Sequence, residues 1–177
     1  TYAPETIGFA LDGRAEGLRV DRLAPETLGP AQVGVAGALA GETLTLERLS
    51  LESALLALQA SGTLAPDGAG IDYALDAPDL APVAAAYDVE AGGALEIAGR
   101  AEGDLAAPRI EGAARLEALS YQGEEWGRIA LDHDVTLGAE PQGEIDLTAE
   151  GGPYGPARVA TDFRLAERTL SLSDLSA

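Results

Sequence analysis

From Leu95 to Leu105 the chain alternates. Leu95, Ile97, Gly99, Ala101, Gly103 and Leu105 are apolar or small, and between them stand Glu96, Ala98, Arg100, Glu102 and Asp104. A period of two places successive side chains on opposite sides of an extended backbone, so this segment predicts a strand with one apolar and one charged face. The same alternation returns in Ile129, Leu131, His133, Val135 and Leu137 against Asp132, Asp134 and Thr136, and in Ile145, Leu147 and Ala149 against Glu144, Asp146 and Thr148. Further strands are predicted at 7–11, 18–20, 33–39, 44–46, 71–75, 110–118, 159–165 and 170–172. About a dozen strands fill most of the chain. Turn chemistry separates them at Pro66–Gly68, Gly92–Gly93, Gln122–Gly123, Pro141–Gly143 and Gly151–Pro156, as expected of antiparallel hairpins. Only 79–87, with Leu80, Val83, Ala84 and Tyr87 on one helical face and Asp79 placed to cap, predicts a short helix.

One segment echoes another. Thr43 to Ser50 reads TLTLERLS and Thr169 to Ser176 reads TLSLSDLS, 126 residues apart. In both, two alternating leucines are followed by a two-residue slip and a third leucine, which re-phases a strand as a bulge does. The expected organisation is one domain over 1–177, in which 33–177 holds about one long repeat and the start of the next.

Composition narrows the functions. There is no cysteine, which excludes disulfide frameworks and thiolate metal sites. The net charge of −19 repels nucleic acid and disfavours anionic lipid surfaces. All eleven basic residues are arginine and asparagine is absent, the profile of a G+C-rich bacterial genome. With no initiator methionine, the chain reads as a segment of a longer protein. No apolar run approaches the roughly 18 residues of a membrane helix.

Candidate chemistry is sparse. The single histidine, His133, stands between Asp132 and Asp134, but strand geometry sends both carboxylates to the face opposite the imidazole, so it reads as an ordinary strand residue. No Gly-x-Ser-x-Gly elbow, EF-hand spacing or phosphate loop occurs. The acidic residues read as a solvated face, and Trp126 as an apolar anchor at a sheet edge. No catalytic residue, metal or cofactor is expected. What remains is the apolar face itself. With almost no helix to cover it, the sheet must curl on itself into a barrel, a β-helix or an open trough.

Several segments resemble the TamB family, inner-membrane subunits of the translocation and assembly module related to AsmA-like proteins, and specifically its C-terminal repeat region. They are LTLERLSLESALLALQASGTL from Leu44 to Leu64, IDYALDAPDLAPV from Ile71 to Val83, GDLAAPRIEG from Gly103 to Gly112, and YQGEEWGRIALDHDVTL from Tyr121 to Leu137. The resemblance implies an all-β fold: a long, curled, mostly antiparallel sheet forming an open trough of the β-taco kind. It further implies a periplasmic segment of an inner-membrane-anchored bacterial protein, phospholipid acyl chains and an outer-membrane TamA-type β-barrel as partners, and roles in phospholipid transport and outer-membrane protein assembly. On that reading the groove is lined by Leu95, Ile97, Leu105, Ile129, Leu131, Val135, Leu137, Ile145, Leu147, Val159, Phe163 and Leu165. The alternative is a structural β-solenoid of a surface adhesin or autotransporter passenger.

Overall fold

A computed structural model describes residues 6–16, 29–153, 155–166 and 169–176. These residues form a single eleven-stranded sheet whose strands lie in the order in which they occur in the chain, every neighbouring pair antiparallel. The strands are β1 (Thr6–Ala15), β2 (Ala31–Ala40), β3 (Thr43–Glu52), β4 (Ala57–Ala65), β5 (Gly68–Ala77), β6 (Ala91–Gly103), β7 (Arg109–Tyr121), β8 (Glu124–Thr136), β9 (Gln142–Glu150), β10 (Ala157–Ala166) and β11 (Thr169–Ser176). The sheet is curled and does not close, because β1 and β11 sit at its two ends rather than pairing with each other. The all-β, antiparallel expectation holds.

Local chemistry explains the connections. Pro66 and Asp67 join β4 to β5, proline supplying the φ that the first turn position needs. Gln122 and Gly123 join β7 to β8 with φ of 51° and 80°, the two left-handed residues that match a hairpin to the sheet twist. The single helix among the described residues, α1 (Ala81–Ala85), is shorter than the 79–87 pattern suggested, and the Asp79 carboxylate accepts a hydrogen bond from the Ala81 amide at 2.9 Å. Two turn expectations shift. Gly92 and Gly93 lie inside β6, where the register slips between Gly92 and Ala94 and Gly93 adopts φ 127°, so the pair makes a bulge instead of ending the strand. Gln142 and Gly143 already belong to β9. The strand expected at 18–20 lies outside the described residues.

Directly opposed residues of an antiparallel pair share a face, and the register carries apolar residues across the whole sheet. One row reads Val33, Leu51, Leu58, Leu75, Ile97, Ala114, Leu131, Leu147 and Val159, from β2 to β10. The next reads Leu11, Val35, Leu49, Ala60, Tyr73, Gly99, Gly112, His133, Ile145 and Thr161. A third runs Phe9, Gly37, Leu46, Gly62, Ile71, Ala101, Ile110, Val135, Gly143, Phe163 and Leu172.

Glycines on this face let the strands come together. A Cβ at Gly99 would lie 2.6 Å from the Glu111 carbonyl oxygen, one at Gly112 2.6 Å from that of Ala98, and one at Gly143 2.1 Å from that of Asp134. The space above them is filled from the opposite residue. The Tyr73 ring leans over Gly99, its hydroxyl 2.6 Å from where a Cβ would stand; His133 Cε1 comes within 3.2 Å of the equivalent point on Gly112, and Phe9 Cζ within 2.9 Å of that on Gly37. In all three cases the aromatic residue is the register partner of the glycine it covers. Gly112→Val should therefore cost about 1–3 kcal/mol by forcing backbone apart. Gly13→Val, where a Cβ meets nothing within 4 Å, should change stability by less than about 0.5 kcal/mol. Urea unfolding followed by circular dichroism reads both.

Candidate functional site

The apolar face is the candidate site. Of the twelve residues expected to line it, Leu95, Ile97, Ile129, Leu131, Val135, Ile145, Leu147, Val159, Phe163 and Leu165 stand in strands β6, β8, β9 and β10 on this one face. Leu105 and Leu137 do not belong to the strands. β6 ends at Gly103 and β8 at Thr136, so Leu105 falls in the following turn at 57% exposure, and the Leu137 amide donates to the Pro108 carbonyl oxygen across the sheet's end. The face also extends well beyond the expected set, through β2 to β5.

This face is not a sealed core. Among the described residues only Ala31 and Ala77 are buried apolar residues, and the large ones between them are half-covered by row neighbours alone. Exposure rises at the two edge strands, to 63% at Ile7, 67% at Leu11 and 59% at Leu170. Such a contiguous apolar surface costs free energy in water.

The opposite face is polar and charged. Arginines pair with acids along and across strands: Arg100 with Asp72 of β5 at 2.8 Å and Glu102 of its own strand at 3.2 Å, Arg109 with Asp134 of β8 at 2.6 Å and Glu111 of its own strand at 3.3 Å, Arg128 with Glu117 of β7 at 2.6 Å, and Arg48 of β3 with Asp12 of β1 at 2.6 Å. All are solvent-exposed, so each contributes little to stability and more to register. A shallow recess of about 990 Å³ lies on this side, bounded by Asp72, Arg100, Glu111, Asp134, Asp146 and Asp162 around small Ala98, Ala113 and Ala160. Among the described residues no group of three or more His, Cys, Asp or Glu side chains is placed to hold a metal ion.

His133 is separated from its flanking aspartates. Asp134 is engaged by Arg109 on the polar side, whereas the imidazole projects from the apolar face over Gly112. Trp126 packs over the β9–β10 connection, its Cε3 3.0 Å from where a Cβ on Gly152 would stand.

One signal escaped the sequence reading. The slip in TLTLERLS and TLSLSDLS has a third copy, ARLEALS, ending at Ser120. Each Leu-x-x-Leu-Ser is a register shift in the sheet: between Leu46 and Leu49, between Leu116 and Leu119, and opposite Ala160 and Asp162 for Leu172–Ser176. Ala118 and Asp174, the third residue of the later two copies, adopt φ of 51° and 53°. The extra residue keeps both flanking leucines of the first two copies in apolar rows where strict alternation would turn one outward.

A family model described as TamB, N-terminal domain, matches residues 30–162. The chain belongs to the TamB family. The matched part is that family's N-terminal domain and not the C-terminal repeat region that the motifs resemble. No curated protein and no solved structure shows significant similarity to it. The family is one of membrane-associated bacterial proteins, and among the described residues no helix is long and apolar enough to cross a membrane.

The polar face makes a prediction of its own. The hydrogen bond from Arg109 holds the Asp134 carboxyl below the usual carboxylate range, and that from Arg158 does the same for Asp146. A carboxyl whose pKa is lower folded than unfolded stabilises the fold above the unfolded value, and that contribution is lost as pH falls through the folded one. The melting temperature should therefore drop below about pH 4. The Asp134→Asn, Asp146→Asn double variant should show a smaller drop in the same thermal melts.

Proposed function

We propose that this segment is a non-catalytic stretch of a periplasmic conduit. Its uncovered apolar face shelters phospholipid acyl chains on their way between membranes, as part of a TamB-family protein anchored in the inner membrane and partnered with an outer-membrane TamA-type β-barrel. A contribution to outer-membrane protein assembly uses the same face, which receives apolar side chains of an extended client as readily as lipid tails. The observation that carries this reading is the set of apolar rows running unbroken from β2 to β10 with no other element among the described residues packed over them.

The magnitudes support it. At about 4.8 Å per strand, eleven strands give a path of roughly 50 Å, longer than one lipid tail. Each methylene removed from water contributes about 0.8 kcal/mol, so partial cover along a few strands offsets the loss of a tail from a bilayer. The polar face, carrying the surplus of negative charge, keeps the outside of the sheet wetted and off anionic membrane surfaces.

Leu131 sits in the middle of one row, between Ala114 and Leu147. Leu131→Asp places a charge that a passing tail must desolvate, a barrier of several kcal/mol, and should abolish lipid crosslinking to the face in the full-length protein. Asp132→Leu, on the polar side, should leave it intact. Circular dichroism establishes that both variants fold. A folded Leu131→Asp protein that carries lipid normally would favour the structural spacer.

A further inference from the structure

The apolar face has one polar interruption. In its described strands β1–β11, the side chains bearing a nitrogen or oxygen on the rows described above are Tyr73, His133 and Thr161, and all three fall in the same cross-strand row. Thr161 is satisfied, its hydroxyl donating to the Ser173 carbonyl oxygen at 3.0 Å. His133 is the chain's single histidine, and its Nδ1 is buried without a hydrogen-bond partner. Tyr73 and His133 lie over the two paired glycines Gly99 and Gly112, which separate them.

We infer that His133 is a proton-operated gate on the apolar face: seated over Gly112 when neutral, displaced into the acyl path when charged. In the neutral tautomer that carries its proton on Nε2, Nδ1 presents only a lone pair, which the seat tolerates. Protonation makes Nδ1–H a donor with no acceptor in reach, and a buried, unsatisfied, charged donor is costly. The ring relieves that cost by turning away from Gly112 toward solvent, into the space a tail occupies.

The surroundings leave it no other partner. On the same face β7 presents Ile110, Gly112 and Ala114, and β9 presents Gly143, Ile145 and Leu147, none of them titratable. Tyr73, three strands away, is the other ionisable side chain in the row. Asp132, Asp134, Glu111, Arg109, Arg115, Glu144 and Asp146 stand on the polar side. Standing on the opposite face, they offer the imidazole no hydrogen bond. Imidazole side chains as a class change charge between about pH 5 and pH 8, which sets the range a test must span.

The inference rests on the conduit reading, and the test separates the two. A benzophenone amino acid replaces Leu147 in the full-length protein in its membranes, and crosslinking to radiolabelled phosphatidylethanolamine is measured from about pH 8 to about pH 5. The parent should lose crosslinking roughly ten-fold toward the acid end. His133→Leu should keep the high yield throughout, and His133→Arg should be low throughout. Circular dichroism at each pH establishes that the sheet persists. A parent that crosslinks equally at every pH, or a His133→Leu variant that still loses yield in acid, overturns the gate and leaves the conduit standing. A folded parent that crosslinks at no pH overturns both.

Discussion

The sheet depends on one constraint, the antiparallel register that holds each apolar residue opposite another across ten strand pairs. Because the side-chain period is two, a slip of a single residue between any pair would send every leucine beyond it to the charged side. Three devices guard against that slip. Short hairpins such as Pro66–Asp67 and Gln122–Gly123 fix the phase between neighbours. Arginines bridge adjacent strands, with Arg109 reaching acids on both its own strand and β8. Bulges at Leu-x-x-Leu-Ser absorb the extra residue wherever a strand would otherwise drift. The first two are weak in energy, yet a shifted register would oppose like charges and carry a penalty on both faces at once.

Close approach of the strands relies on a second, local feature. Where two strands must approach closely, one contributes a glycine and its partner contributes an aromatic ring that lies across it, as Phe9 does for Gly37, Tyr73 for Gly99 and His133 for Gly112. The arrangement keeps the face continuous where the backbones come close. It also accounts for a histidine among leucines: a flat ring covers a glycine about as well as phenylalanine does.

Much of this was legible in the sequence, for a physical reason. A two-residue period is a direct image of strand geometry, so Leu95–Ala101, Ile129–Val135 and Ile145–Ala149 declared their faces without help. The bulge at Leu46–Leu49 was equally visible, because a slip in period has no other reading within a strand. Strand ends were less legible. Leu105 and Leu137 continue the alternation in letters after the hydrogen-bonded ladder has stopped, and nothing in side-chain pattern records where a ladder stops. Gly92–Gly93 failed for a related reason: glycine with positive φ serves a turn and a bulge alike, and only the partner strand decides which. The pairing of His133 with Gly112 is a property of two strands, invisible to any reading of one.

The exposure of the apolar face bears on stability as well as on function. A sheet of eleven strands ordinarily buries its apolar side against a second layer, and that burial supplies most of the stability of a β fold. Here, among the described residues, the only buried apolar side chains are those of Ala31 and Ala77, so the face holds itself together by lateral contacts along rows and by the backbone ladder. Whatever covers it therefore contributes twice. It gains the burial of its own surface, and through binding linkage it stabilises the folded sheet over the unfolded chain in proportion to its occupancy. An apolar occupant shared among many shallow half-sites is held without being trapped, because leaving one row and entering the next exchanges nearly equal areas. The same uniformity makes the polar row of Tyr73, His133 and Thr161 the dissimilar step that an occupant moving as proposed would have to cross.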